Sequence, residues 1–171
     1  ERGRAWVIET RDYPNELKPA ELGKDRIRIL EDTDGDGKAD KAILFADKLS
    51  IPTGMCFARG GLIVQMAPHF LFLKDTDGDD KADVREILFS GWSTGDTHAG
   101  PSNLKYGFDN WIWGVMGYAG FNGKVGEKQH RFGQGVYRFK PDGSELEYLG
   151  RTSNNTWGLG FSENNDVFIS T

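Results

Sequence analysis

The chain contains Asp32-Thr33-Asp34-Gly35-Asp36-Gly37-Lys38-Ala39-Asp40 and, 43 residues later, Asp75-Thr76-Asp77-Gly78-Asp79-Asp80-Lys81-Ala82-Asp83. Carboxylates at positions 1, 3 and 5 of such a loop converge when the backbone coils tightly, and a carbonyl at position 7 adds a further ligand. Position 9 is Asp here, and no helical apolar pattern flanks either repeat, unlike an EF-hand. Each repeat therefore predicts a hairpin loop that binds a hard cation, and Ca²⁺ is the expected ion.

The two loops differ at position 6, where glycine eases the turn. The first Asp loop (residues 32–40) has glycine there, and we expect it to bind Ca²⁺ through Asp32, Asp34, Asp36, the Lys38 carbonyl and Asp40. The second Asp loop (residues 75–83) has Asp80 instead, so weaker or distorted binding is expected, through Asp75, Asp77, Asp79, the Lys81 carbonyl and Asp83. Solvated acidic turns without a metal are the alternative for both loops.

The charge of the chain is concentrated in these loops. They carry −3 and −4, whereas all 171 residues together carry −5, so the remainder carries +2. Repulsion within each loop favours a bound cation, and no basic patch supports nucleic-acid binding. The single cysteine, Cys56, excludes an internal disulfide or a CxxCH haem site within these residues, and we expect it in the core. No apolar run approaches the ~18–20 residues that span a bilayer.

Short strand-like segments alternate with turn residues along the whole chain, and no segment has a sustained helical period. Residues 14–24, with two prolines, predict an irregular loop. Strands are predicted at residues 4–9, 26–31, 41–46, 53–58, 61–66, 70–74, 84–89, 102–107, 111–117, 135–140, 145–150, 156–161 and 166–170.

These strands group into repeats of about four, with an Asp loop at the same place in the first two. Four-stranded antiparallel units of ~40–55 residues are typical of β-propeller blades. Blade-like units are predicted at about residues 1–50, 51–95, 96–152 and, incomplete, 153–171. About three blades cannot close a ring of roughly 4–8. We therefore predict an all-β partial propeller within a longer protein whose full ring has six or seven blades; a sandwich of short strands is the alternative.

One dense polar stretch, Gly95–Leu104, precedes the innermost predicted strand of the third unit. In a propeller, such a segment crosses the mouth of the channel, where ligands bind. His98, with Asp96 two residues before it, could act there as a general base near neutral pH. The alternative is a histidine that hydrogen-bonds to the loop backbone.

A long insertion, residues 117–134, separates two strands of the third unit and is predicted to be a functional or mobile loop. Within it, Arg131, His130 and Asn122 are candidates for binding an anionic ligand or cofactor, and solvated loop charges are the alternative. Aromatic residues predicted near the channel mouth would suit stacking on sugars, with core packing as the alternative: Trp92, Trp111, Trp113 and Tyr118.

Several motifs together resemble one family over nearly all 171 residues. They are Trp6–Glu9, Arg11–Pro14, Asp25–Lys41, Leu71–Gly78, Asp96–His98 and Phe132–Phe139. The chain resembles the N-terminal propeller of the large membrane-bound dehydrogenase-like proteins of planctomycetes and verrucomicrobia, many of which carry a c-type haem domain downstream. That family is in turn similar to the soluble quinoprotein glucose and sorbosone dehydrogenases, which are six-bladed propellers that bind pyrroloquinoline quinone and Ca²⁺.

The resemblance implies a function for the His98 region. In the quinoprotein enzymes, a histidine just before an inner strand takes the substrate hydroxyl proton while hydride passes to the quinone. The matching segment here, His98 to Asp109, is one residue longer between His98 and Leu104, and Tyr118 replaces an acidic residue. The expected function is a calcium-binding sugar or alcohol dehydrogenase module, with His98 and Asp96 catalytic.

The resemblance also implies the setting of this function. The module would pass electrons to a c-type haem domain elsewhere in its chain. It would be exported to the periplasm or cell envelope, with membrane association only through other parts of the protein. The alternative function is a non-catalytic, calcium-stabilised propeller that binds polysaccharide or a protein partner.

Overall fold

The structure is a computed structural model that describes residues 3–14, 17–19 and 21–171. These residues form fifteen β-strands in five antiparallel sheets and no helix, so none of them forms a helix that could cross a membrane. The strands are β1 Ala5–Glu9, β2 Asp25–Glu31, β3 Lys41–Leu49, β4 Gly54–Ala58, β5 Gly61–Met66, β6 His69–Lys74, β7 Val84–Ser90, β8 Pro101–Tyr106, β9 Ile112–Met116, β10 Phe121–Val125, β11 Lys128–Phe132, β12 Gly135–Phe139, β13 Leu146–Gly150, β14 Gly158–Phe161 and β15 Val167–Ser170.

The first sheet has three strands in the order β1-β2-β3, which confirms the three strands predicted before residue 50. Alternate residues of β2 are buried, Ile27 and Ile29 among them, because successive side chains of a strand point to opposite faces. No strand occurs among the described residues between β1 and β2, as predicted for the prolines of residues 14–24.

The second sheet has the order β4-β5-β6-β7, so the four strands predicted between residues 51 and 95 form one sheet. Its first hairpin turns through Arg59 and Gly60, whose φ angles of 55° and 70° define a turn that matches the twist of the strands. Both faces of this sheet are covered. Leu62 and Val64 pack with Ile27 of the first sheet, whereas Ile63 packs with Ile112 of the third sheet. This two-sided burial explains the continuous apolar run of β5.

The third sheet has the order β13-β12-β9-β8, again as predicted, and the hairpin β14–β15 follows it. Leu159 of β14 packs on Val115 and Val136 of the third sheet. The sheets therefore pack one on the next in chain order, with apolar clusters between them.

The prediction of a loop for residues 117–134 is wrong, because this insertion forms the hairpin β10–β11. Asn122 N donates to Gly91 O (2.8 Å), and Ser93 N donates to Gly120 O (3.0 Å), so the hairpin adds to the segment after β7. Phe121 and Val125 are buried by this docking. Sequence reasoning missed the hairpin because its strands are short, polar and glycine-containing, and are ordered by pairing with a distant segment.

The candidate sugar-stacking aromatics divide into core and surface. Trp92 is 2 % exposed and stacks on Phe70 with ring centroids 4.7 Å apart, and Trp111 is 8 % exposed, so core packing is confirmed for both. Trp113 is half-buried, and Tyr118 is 54 % exposed. Cys56 packs half-buried against the core cluster, as expected.

Candidate functional site

The two Asp loops occupy equivalent hairpins, since the first joins β2 to β3 and the second joins β6 to β7. Their hydrogen bonds repeat. The Asp32 carboxylate accepts from the main-chain N–H groups of Gly35 (2.7 Å) and Gly37 (2.8 Å). In the second loop, Asp75 accepts from Gly78 (2.7 Å) and Asp80 (2.9 Å). Two nearly identical sequences therefore form the same turn.

In each loop, the aspartate at position 9 accepts hydrogen bonds from the threonine at position 2. The carboxylate of Asp40 accepts from the main-chain N–H (3.0 Å) and the hydroxyl (2.8 Å) of Thr33. Asp83 accepts from the same two groups of Thr76, at 2.7 Å and 2.9 Å. This residue therefore has a structural role in the loop, whether or not it also binds a metal.

Three carboxylates converge in each loop. Oxygens of Asp32, Asp34 and Asp36 lie within 4.8 Å of one another in the first, and those of Asp75, Asp77 and Asp83 in the second. The structure does not bring the other two predicted carboxylates, Asp40 and Asp79, into these groups. Asp79 instead forms an ion pair with Lys81 Nζ at 2.7 Å, and Lys38 Nζ lies 3.7 Å from Asp36.

Hydrogen bonds lower the pKa of one carboxylate in the first loop and of two in the second. The N–H groups of Gly37 and Gly35 lower the pKa of Asp32, and the N–H of Gly78 is the main cause that lowers the pKa of Asp75. Hydrogen bonds from Thr76, first from its main chain, lower the pKa of Asp83. Three converging carboxylates in a tight hairpin offer the oxygen ligands that suit a hard cation such as Ca²⁺.

Asp80 takes the backbone conformation that its glycine counterpart takes. Its φ is 66°, and that of Gly37 is 86°, so both lie in the left-handed region. Arg4 Nη1 donates to both Asp80 oxygens, at 2.9 Å and 2.8 Å. The substitution therefore preserves the hydrogen-bond pattern of the second loop, and weaker metal binding there stays a prediction.

The structure brings Asp96 and His98 together in a tight turn. Asp96 Oδ1 accepts from His98 N at 2.9 Å and lies 3.6 Å from His98 Nδ1. The His98 side chain is 60 % exposed, and its ring packs edge-on against Tyr13 with centroids 5.3 Å apart. A general base and a histidine bonded to the loop backbone both stay predictions for His98.

Asn122 and Arg131 lie opposite each other in the β10–β11 hairpin and line an open cleft of about 660 Å³, here called the Arg131 cleft. Ser93 and Tyr118 also line it. His130, which precedes Arg131 in β11, is not among the residues that line this cleft. Its Nε2 is buried, and burial, with a smaller contribution from Lys128, lowers the pKa of the ring.

The His98 turn and the Arg131 cleft are connected through the main chain. Ala119 N donates to Ala99 O at 3.0 Å, so the base of the insertion is held beside the His98 turn. Both follow the end of β7 that is opposite the second Asp loop. Sequence reasoning missed Ser93 as a cleft residue, and also the bond from the Tyr118 hydroxyl to Asn154 Oδ1. No local signal identifies either, because both contacts depend on where the hairpin docks.

The fold and these sites define an all-β protein of successively packed antiparallel sheets with paired acidic hairpin loops. Over residues 1–171 the sequence matches a family described as a domain of unknown function (DUF7133), and the chain belongs to that family. Comparisons with curated proteins and with solved structures found no match.

Proposed function

We propose that this chain is a calcium-stabilised part of a β-propeller and that it binds a saccharide at the Arg131 cleft. The observation that carries the calcium proposal is the repeated loop, with its two hydrogen-bond patterns and its two groups of three carboxylates. Packing of four-stranded antiparallel sheets in chain order supports a propeller.

Calcium in these loops would be structural. Three ionised carboxylates within 4.8 Å repel one another, and a divalent cation turns that repulsion into attraction. Each loop connects two neighbouring strands, so a bound ion would fix a hairpin that is otherwise a long, charged and exposed turn. The Arg131 cleft follows the end of β7 that is opposite the second Asp loop, so the proposed metal and saccharide would bind at different places.

Calorimetry and thermal denaturation test the calcium proposal. Wild type is expected to bind two Ca²⁺ and to gain about 5–10 °C in Tm per site at about 100 times the Kd. Asp34→Asn and Asp77→Asn, at equivalent positions, should each lose one binding event, and the double variant both. Asp47→Asn, an exposed charge change outside the loops, is the control. No binding heat and no change in Tm on adding Ca²⁺ to wild type would overturn the proposal.

Saccharide binding is supported by the composition of the cleft. Tyr118 offers an exposed ring for stacking on a pyranose face, and Asn122 and Arg131 offer hydrogen-bond donors beside it. Tyr118→Ala and Arg131→Gln are expected to weaken binding of an oligosaccharide by tenfold or more, with Tyr106→Ala as an exposed-tyrosine control. Unchanged affinity in both cleft variants, or no binding across a broad glycan panel, would contradict this assignment.

The second candidate function is a sugar or alcohol dehydrogenase that passes electrons to a c-type haem domain. The turn that holds His98 Nδ1 3.6 Å from Asp96 Oδ1 favours this second function. A carboxylate beside an exposed imidazole orients the ring so that it can take a hydroxyl proton. Pyrroloquinoline quinone would act as hydride acceptor, but it carries three carboxylates, and Arg131 is the single cation among the described residues of the cleft. These residues do not fit the quinone, and no step is derived through it.

An activity assay separates the two functions. The protein is supplied with Ca²⁺, the quinone, an artificial electron acceptor and a panel of sugars and alcohols. Turnover that is lost in His98→Ala while glycan affinity is kept would establish the dehydrogenase. Absence of turnover across the panel would leave saccharide binding as the function, and full turnover in His98→Ala would exclude His98 as the base.

A further inference from the structure

The two Asp loops share a sequence and a hydrogen-bond pattern, yet their surroundings differ. Every residue of the first Asp loop is exposed. In the second, three residues are partly buried, Asp75, Asp80 and Ala82, and Ala82 packs against the apolar cluster between the first and second sheets. The second loop is therefore also part of a sheet–sheet contact.

Two groups of the second loop bind the first sheet directly. Asp80 accepts two hydrogen bonds from Arg4, just before β1, and both side chains are largely buried, at 29 % and 15 % exposed. Ala82 N donates to Phe45 O of β3 at 2.9 Å. The loop thus contacts the first sheet at two places, beside β1 and within β3.

The strand that follows the loop adds a third contact. Arg85 of β7 donates to the main-chain carbonyls of Asp47 (3.0 Å) and Lys48 (2.9 Å), near the end of β3. In the first Asp loop, position 6 is Gly37, which has no side chain that could form an ion pair such as that of Asp80 with Arg4.

The two docking groups of the second loop, Asp80 and Ala82, lie between carboxylates that would bind the metal. Asp77 precedes Asp80, and Asp83 follows Ala82, so fixing the carboxylates around an ion also fixes the two docking groups. The reverse also holds, because a docked loop has less conformational freedom to lose when it binds an ion. Binding and docking are then linked reciprocally.

We infer that the second Asp loop is an inter-sheet clamp, in which Ca²⁺ binding holds the first sheet against the second. The inference rests on the calcium binding proposed above. Asp80 is then a positioning residue of this clamp: its carboxylate binds Arg4, and the loop retains the backbone turn that glycine provides at this position in the first loop.

Hydrogen exchange of the whole chain with and without Ca²⁺ tests the clamp. Asp34→Asn and Asp77→Asn again form a matched pair. In wild type, Ca²⁺ is expected to slow exchange in β1 and β3 by about fivefold or more, the lower end of typical coupling. Asp34→Asn should keep this protection of β1, and Asp77→Asn should lose it.

Asp80→Asn separates docking from metal binding. Asparagine tolerates the left-handed conformation and keeps the main-chain N–H that Asp75 accepts, but it cannot form the ion pair with Arg4. We expect the Ca²⁺-dependent protection of β1 to fall in this variant and the Ca²⁺ affinity of the second loop to fall about fivefold or more, with the first loop unchanged.

Calorimetry on the same samples distinguishes the two ways of failing. If neither loop takes up Ca²⁺, the proposed calcium function fails. If both loops bind Ca²⁺ but β1 is protected equally in Asp34→Asn and Asp77→Asn, or fully in Asp80→Asn, the clamp is wrong while calcium binding stands.

Discussion

The hydrogen bond between Gln65 and Tyr137 is expected to be a main support of the contact between the second and third sheets. Gln65 Nε2 donates to the Tyr137 hydroxyl at 2.9 Å, and both residues are 0 % exposed. Burial raises the pKa of Tyr137, so its hydroxyl stays protonated. Tyr137→Phe removes one oxygen, keeps the ring and leaves the Gln65 amide unsatisfied in the core.

The expected cost of Tyr137→Phe is about 1–3 kcal/mol, the desolvation penalty of an unpaired buried amide. For a chain of this size, that lowers Tm by about 2–4 °C per kcal/mol. Urea denaturation measures the free energy of unfolding, and Tyr106→Phe, at a 47 % exposed site, should change it by less than about 0.5 kcal/mol.

A double-mutant cycle tests the physical reason. The double variant Gln65→Met/Tyr137→Phe lacks both polar partners. Its loss in free energy of unfolding should therefore be about 1–3 kcal/mol smaller than the sum of the losses in the two single variants. The Gln65 Oε1 atom, which has no partner among the described residues, is also removed by this change. The reasoning would be refuted if the effects of the two single variants on the free energy of unfolding were strictly additive, or if Tyr137→Phe lost less than about 0.5 kcal/mol.

Three further predictions concern packing, acid and the core. Gly114→Ala should lower the free energy of unfolding by about 1–3 kcal/mol, because the new Cβ would lie 2.4 Å from the Tyr137 hydroxyl. Gly150→Ala is the control, because a Cβ there would have open space. Equal unfolding midpoints of the two variants in urea would contradict this prediction. Because hydrogen bonds lower the folded-state pKa of Asp32, its contribution to stability is present above the unfolded pKa and is lost as pH falls below about 4. In EGTA, Tm of Asp32→Asn should therefore decrease less steeply than that of wild type as the pH is lowered. An unchanged slope would exclude a contribution of Asp32 to the acid sensitivity of the fold. Trp92→Ala should lower the free energy of unfolding, measured by thermal or urea denaturation, by about 3–5 kcal/mol. A near-neutral effect would mean that this ring does not belong to the core.

Features set by local chemistry were predicted well from the sequence. Period-2 alternation located the strands of the first three sheets, and the Asp repeats marked equivalent hairpins between β2 and β3 and between β6 and β7. Such features depend on neighbouring residues, whose side-chain directions and turn conformations follow from the backbone. The converging carboxylates were predicted in part, since the structure groups three of the four expected in each loop.

Features that join distant parts of the chain were not predicted. The sequence predicts a loop where the hairpin β10–β11 forms, because the order of this hairpin depends on the segment at Gly91, some thirty residues earlier. For Trp92 the sequence leaves sugar stacking and core packing open, and the residue is buried because Phe70 and Phe121 pack around it. Both outcomes depend on which sheets pack together.

The amino-acid sequence by itself determined that this chain forms short antiparallel strands and turns twice through an acidic loop, because alternation and turn chemistry act between near neighbours. The tertiary structure alone decided that one loop is exposed on all its residues while its near-copy docks on the first sheet. The physical reason is that Asp80 meets Arg4 only when two sheets, 76 residues apart at this contact, are packed together.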